Sequence, residues 1–199
     1  MKFKFTLAGL LLVSCNAFAA YTVTISQVGN SVTAAGSGSL DLTAISPSLG
    51  TSAFNPEIDG GFGYLGIGTV NNADVYLGIT GPSGFGLGST FISDSSSGPI
   101  TGILAGPPGL LFVPTGYVSG TPLPSTATWN GHTIASMGLT PGTYTWTWGT
   151  AGVDADSFTI VINAAPVASP ASIPALSGWG LIGLSFILAM LGISRKRQG

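Results

Sequence analysis

Hydrophobic and polar residues alternate with a period of two along much of the middle of this chain. In the segment 21–28, Tyr, Val and Ile fall on one face and the polar residues fall largely on the other. This alternation is typical of a β-strand that buries one face. Gly29-Asn30 then predicts a turn into a second strand within 31–42, so the chain is expected to begin its folded part with a hairpin.

Short apolar runs separated by Gly, Pro and Ser continue this pattern. They predict further strands near residues 63–70, 75–79, 89–92, 100–104, 110–113, 125–129, 132–136, 143–148 and 156–162. Asn130-Gly131 predicts a tight hairpin between 125–129 and 132–136, because a type I′ turn needs positive φ at both central residues. These short strands, joined by Gly/Pro turns, predict an all-β domain with a β-sandwich as its architecture.

Two resemblances refine this fold class. Leu139-Thr140-Pro141-Gly142-Thr143-Tyr144 resembles the tyrosine corner of immunoglobulin-like and fibronectin-like sandwiches, in which a Tyr at the start of a strand bonds back to the preceding loop. The segment 125–162, together with 23–29, also resembles an uncharacterised domain that is common in PEP-CTERM proteins. That second resemblance implies no established activity.

The first nineteen residues have the pattern of a secretory signal peptide. A basic start is followed by an apolar run over 6–13, and Ala17-Phe18-Ala19 supplies small residues for signal peptidase, so cleavage is expected between Ala19 and Ala20. The run is too short to span a bilayer stably. Leu12-Val13-Ser14-Cys15 also resembles a bacterial lipobox, which leaves lipidation of Cys15 as the alternative.

The other end of the chain predicts a membrane anchor. Residues 175–193 carry no charge and are rich in Leu, Ile and Gly, and the basic residues Arg195, Lys196 and Arg197 follow. This pattern predicts one transmembrane helix with its basic end in the cytoplasm. Ahead of it, the segment 163–172 holds two prolines among small residues, which predicts an extended spacer. The expected domains are therefore the signal peptide 1–19, an ectodomain 20–162, the linker 163–172 and a C-terminal segment 173–199.

The residues at the start of that last segment resemble the C-terminal sorting signal of the IPTL-CTERM class, a relative of PEP-CTERM. The resemblance is carried by Ile173, Pro174, Ala175, Leu176, Ser177, Gly178, Trp179 and Gly180, followed by the apolar run and the basic cluster. Ala175 and Gly178 depart from the usual Thr and Glu. The resemblance implies a Gram-negative protein held in the inner membrane, cut by an exosortase-type enzyme, and passed to the cell surface or an extracellular polysaccharide matrix.

Charge narrows the partners that the ectodomain can have. The chain has only five Lys or Arg and seven Asp or Glu in 199 residues, about 6% against a usual ~25%. All five basic residues lie at the two ends, so the stretch 20–170 carries seven acids and no cation. Such a domain cannot neutralise phosphates, which excludes nucleic acid as a partner. Cys15 is the only cysteine, so disulfides and thiol catalysis are excluded after cleavage at Ala19.

Candidate chemistry is sparse. Two carboxylate pairs with i, i+2 spacing, Glu57 with Asp59 and Asp154 with Asp156, would each point to one face of an extended chain. They are interpreted as solvated turn acids, with a weak Ca²⁺ site or an acid–base pair for glycoside hydrolysis as alternatives. No cofactor is expected otherwise.

An aromatic row is the other candidate. Tyr144, Trp146 and Trp148 share one face of a strand, and they form either the sandwich core, which is favoured, or a flat platform for sugars. The G-x-G-x-x-G sequence over 61–66 is interpreted as turn and strand glycine, since no helix is predicted after it. His132 is the only histidine and is interpreted as a solvent-facing hairpin residue.

The sequence thus predicts a non-enzymatic, exported β-sandwich with a structural or adhesive role at the cell surface or in a biofilm matrix. The alternative function is a carbohydrate-binding or Ca²⁺-dependent recognition module. The expected partners are signal peptidase, an exosortase-type enzyme, the membrane before processing, and extracellular polysaccharide.

Overall fold

The computed structural model describes residues 20–164, and within this range the chain forms β-strands joined by turns, with no helix. The prediction of an all-β domain is confirmed. The strands are β1 (Ala20–Val28), β2 (Ser31–Gly38), β3 (Pro47–Phe54), β4 (Glu57–Asp59), β5 (Tyr64–Ile67), β6 (Asn71–Ile79), β7 (Phe91–Ile92), β8 (Ser95–Ser97), β9 (Thr101–Leu104), β10 (Gly109–Pro114), β11 (Ser125–Asn130), β12 (Gly142–Trp148) and β13 (Asp156–Ile162).

These strands form two sheets. The first sheet has six strands in the order β12-β13-β1-β2-β11-β8, and the second sheet has seven in the order β3-β6-β10-β9-β5-β4-β7. Every pairing is antiparallel except that of β1 with β13, which run parallel in the middle of the first sheet. The first and last strands of the domain are therefore hydrogen-bonded neighbours that start at the same end of the sheet.

A single large core cluster joins the two sheets. Alternation along β13 turns Phe158, Ile160 and Ile162 inward, and the same period in β1 turns Tyr21, Val23 and Ile25 inward. These side chains pack in one cluster with residues of the second sheet that include Ile58, Leu65, Ile67 and Ile79. The second sheet also buries a smaller cluster of Ala73, Val75, Ile100 and Phe112.

The two predicted hairpins have different outcomes. β1 and β2 pair across Gly29-Asn30, with Val28 opposite Ser31 and a φ of +60° at Gly29, so the first hairpin is confirmed. The prediction of a hairpin at Asn130-Gly131 is wrong. Gly131 has a φ of +73°, but Asn130 does not have the positive φ that a type I′ turn requires, since within the described chain only glycines have one.

Residues 132–136 consequently do not return as a strand. They form a turn in which the Met137 amide donates to the Thr133 carbonyl at 3.0 Å. The edges of β11 are instead occupied by β2 and β8. Burial of Ile134 and Met137 in the core explains the apolar residues that suggested a strand here.

The tyrosine corner forms as its resemblance implied. The Tyr144 hydroxyl donates to the Thr140 carbonyl at 3.0 Å, and the ring lies half-buried beside Phe85, with 6.1 Å between ring centroids. The bond ties the loop before β12 to the strand itself. This edge of the first sheet is also covered, because Thr80 and Thr147 exchange backbone hydrogen bonds of 2.9 Å.

Replacing Tyr144 by Phe removes this hydrogen bond while keeping the ring. We expect the free energy of unfolding to fall by about 1 kcal/mol, the usual net worth of one hydrogen bond. Urea denaturation followed by tryptophan fluorescence measures the change. Tyr76→Phe is the control, since its hydroxyl makes no hydrogen bond within the described residues; an equal loss in both variants would contradict a role for the Tyr144 bond.

Candidate functional site

Glu57 and Asp59 line a small cavity of about 180 Å³ beside β4, together with Phe62, Tyr64, Thr90 and Leu104. Asp59 is 5% exposed, and its Oδ1 accepts hydrogen bonds from the amides of Gly61 and Phe62, both at 3.0 Å. Its Oδ2 accepts a bond of 2.8 Å from the Thr90 hydroxyl. Oδ1 of this buried carboxylate therefore holds the turn after β4 in place, and Oδ2 ties β4 to the segment before β7.

Glu57 supplies a second negative charge to the same cavity. Burial, and then the neighbouring Asp59 carboxylate, raise the pKa of Glu57 above its ordinary value. Ca²⁺ is bound by six to eight oxygens in proteins, and within residues 20–164 no three His, Cys, Asp or Glu side chains come together as a metal-binding group. Binding of Ca²⁺ at Glu57 and Asp59 stays a prediction.

The two residues of the second carboxylate pair do not both lie on extended chain. Asp154 lies in the turn before β13, where its Oδ1 accepts a 2.7 Å hydrogen bond from the Thr150 amide. Asp156 begins β13 and is 5% exposed, with its oxygens accepting from the amides of Asp41 at 2.5 Å and Ser157 at 2.6 Å. The shared face was expected only if both residues lay on extended chain, and this condition is not met because Asp154 belongs to the turn.

Asp156 also lies at the edge of a cavity of about 440 Å³. The cavity is lined by Ala20, Thr147, Trp148, Gly149, Ala151, Ala155, Asp156 and Ser157. Burial raises the pKa of Asp156 to about 6; the two backbone hydrogen bonds oppose this shift, and the charge of Asp41 adds to it. The sequence held no signal for this juxtaposition, because the parallel pairing of β1 with β13 creates it.

The aromatic row on β12 faces the core. Trp146 and Trp148 are 1% and 4% exposed, and their indole N–H groups donate to the carbonyls of Pro82 at 3.0 Å and Asp41 at 2.8 Å. Tyr144, on the same face, is half-buried. These rings are therefore not available as a solvent-facing platform for sugars.

The remaining two candidates, the G-x-G-x-x-G segment and His132, have roles in turns and packing. In the G-x-G-x-x-G segment, Gly63 has a φ of +63° in a turn that leads into β5, a strand and not a helix. His132 is half-buried in a T-shaped arrangement with Phe91, with 4.9 Å between ring centroids. The interpretation of His132 as a solvent-facing hairpin residue is therefore wrong, since the expected hairpin is absent and the Phe91 ring packs against it.

The targeting segments lie outside the described residues. This applies to the signal peptide with Ala19 and Cys15, to the sorting motif Ile173–Gly180, to the transmembrane segment 175–193, and to Arg195, Lys196 and Arg197. Ala20 is described and is the first residue of β1. Between residues 20 and 164 there is no helix of the length and hydropathy that crossing a membrane requires.

Comparison with known proteins identifies the C-terminal segment. Residues 171–198 match the family model described as the IPTL-CTERM motif. No curated protein and no solved structure matches the chain. The chain therefore carries an IPTL-CTERM motif, consistent with a C-terminal sorting signal of the PEP-CTERM type, as its residues indicated.

Proposed function

We propose that this chain is an exported, non-enzymatic protein of the cell surface or extracellular matrix, built on an immunoglobulin-like or fibronectin-like β-sandwich. The IPTL-CTERM motif at residues 171–198 is the observation that carries the proposal. Signal peptidase removes residues 1–19, and an exosortase-type enzyme processes the chain near the motif. The structural or adhesive role is exercised after release from the inner membrane, in contact with extracellular polysaccharide.

The charge of the domain and the burial of its carboxylates support a non-enzymatic role. The folded residues include seven acids and no Lys or Arg, so a net charge far from zero keeps the released domain soluble. The buried carboxylates of Asp59 and Asp156 accept hydrogen bonds from nearby backbone amides and, for Asp59, from the Thr90 hydroxyl, so both have structural partners.

Deleting residues 173–180 tests the sorting step. In a host with an exosortase-type enzyme, we expect the deletion variant to stay in the inner membrane, while the unaltered chain reaches the surface or the medium. Membrane fractionation with immunoblotting measures the distribution. The control is a deletion of residues 165–170, which shortens the spacer and keeps the motif.

Intact-mass analysis of the released protein completes the test. It reports the N-terminal cut, any lipid on Cys15 and any C-terminal trimming in one measurement. Normal amounts of the 173–180 deletion variant at the surface would contradict sorting through the motif.

A further inference from the structure

The start of β1 and the start of β13 lie side by side in the first sheet. Ala20 is in register with Ser157, and the parallel pairing continues through Tyr21 with Phe158 to Ile25 with Ile162. Because the two strands run in the same direction, Ala20 comes next to the residues that begin β13. Ala20 and Asp156 thus line the same cavity, although they are far apart in the sequence.

Asp156 is buried without a cationic partner among the described side chains. The titratable groups around it are Asp41 and Tyr117, from segments packed against β13, and Asp154 from the preceding turn. All of these are acidic, and residues 20–170 contain no Lys or Arg. A buried carboxylate that lacks a counter-charge lowers stability, since desolvation penalises its ionised form.

Cleavage between Ala19 and Ala20 would place a cation at this position. Signal peptidase hydrolyses the C–N bond, so that the oxygen of water joins the Ala19 carboxylate and its two protons pass to the Ala20 nitrogen as an ammonium. An α-amino group has an ordinary pKa of about 7.7–8.0, so it is charged at neutral pH. In the uncleaved chain the same nitrogen is a neutral amide.

We propose that the new α-ammonium of Ala20 forms an ion pair with Asp156 across this cavity, so that removal of the signal peptide stabilises the folded domain. The inference rests on the proposed export and on cleavage after Ala19. It assigns the buried carboxylate a partner that exists only in the processed protein. The stability of the first sheet is thereby linked to the completion of export.

Selective acetylation of the α-amine tests the pair. The protein is the exported chain that begins at Ala20, with Lys196→Arg introduced in every sample so that the α-amine is its only amine. Acetylation removes the positive charge and leaves the sequence intact. We expect the equilibrium constant for unfolding, measured by urea denaturation, to rise about tenfold, a typical effect for a charge-assisted contact.

Asp156→Asn completes a double-mutant cycle with acetylation. In this variant acetylation should leave the unfolding constant unchanged, since the carboxylate is gone. Asp154→Asn is the matched control, because Asp154 is a nearby carboxylate that does not line the cavity, and here acetylation should keep its tenfold effect. Equal effects of acetylation with and without Asp156 would overturn the proposal.

The pKa of the α-amine gives a second measurement, which needs no Asp156 variant to fold. Paired with a carboxylate, the Ala20 ammonium should titrate above 8 in an NMR titration of the folded protein. An ordinary value in the folded state would overturn the ion pair. N-terminal sequencing precedes both tests, so that a different cleavage site counts against the proposed export and not against the pair.

The ion pair also predicts how the stability of the folded domain changes with pH. In the acetylated protein, burial holds the pKa of Asp156 at about 6, above its ordinary value of 3.8. The folded state then binds more protons than the unfolded state between about pH 4 and 6, so its stability falls as the pH rises through that window. With the free ammonium this fall should be smaller, and in Asp156→Asn its contribution should be absent.

Discussion

Replacing Trp146 by alanine is expected to lower the free energy of unfolding by about 3–5 kcal/mol, a large fraction of the stability of a typical domain. The indole is 1% exposed and packs edge-on against Phe85, with 6.3 Å between ring centroids. Its N–H donates to the Pro82 carbonyl at 3.0 Å. The substitution therefore opens a cavity and leaves a carbonyl without its donor. Urea denaturation followed by circular dichroism measures the loss.

Thr143→Ala is the matched control on the same strand. Thr143 faces solvent on the exposed side of β12, so its replacement should change stability by less than about 1 kcal/mol. Trp146→Phe keeps a ring in the core and should fall between the two. Unchanged stability in Trp146→Ala would contradict the inward orientation of the row.

Gly102→Ala is expected to cost about 3 kcal/mol, the second largest effect. Gly102 lies in β9, between β5 and β10, and directly opposite Gly66. A Cβ at this position would overlap the backbone of β5, because the Leu65 carbonyl oxygen lies far inside van der Waals contact distance of it. Backbone cannot move aside like a flexible side chain, so the two strands would have to separate. Thermal unfolding should show a midpoint lowered by several degrees.

Gly106→Ala is the control for the loss of glycine itself. A Cβ there would meet its nearest neighbour, the Pro108 carbonyl oxygen, at an ordinary contact distance of 3.4 Å, and no positive φ is required. Its stability should be unchanged or slightly higher, because alanine reduces the entropy of the unfolded chain. Similar losses in both variants would show that the close approach at Gly102 is not what matters.

Two local patterns predicted strands: period-two alternation, and short apolar runs between turn residues, which gave β9 and β10 to within one residue. The alternating strands β1, β2, β12 and β13 appear close to their expected bounds, because each buries every second side chain and leaves the others more exposed. β4 and β8 were not predicted, since each has only three residues and β8 is a run of serines. β3 was also missed; it is an edge strand with a register shift against β6. Pairing with neighbours, more than local pattern, makes these segments strands.

The same distinction between local pattern and long-range packing applies to the candidate functional residues. The spacing of the aromatic residues on β12 showed that they share one face of a strand, but not whether that face points to the core or to solvent. Packing against the second sheet places the row in the core. The two carboxylate pairs were also identified from the sequence. Their spacing implied a common face, yet only Asp156 belongs to a strand, because the turn that precedes β13 extends through Asp154.

The sequence by itself determined the IPTL-CTERM motif, the absence of cations between residues 20 and 170, and the inward and outward faces of the long strands. Each of these is local, since it depends on residue type and on a period of two. The tertiary structure alone decided that β1 lies parallel to β13, which brings Ala20 and Asp156 to one cavity. Strand order is a long-range property, set by how two sheets bury a shared core, and no local pattern specifies which strands become neighbours.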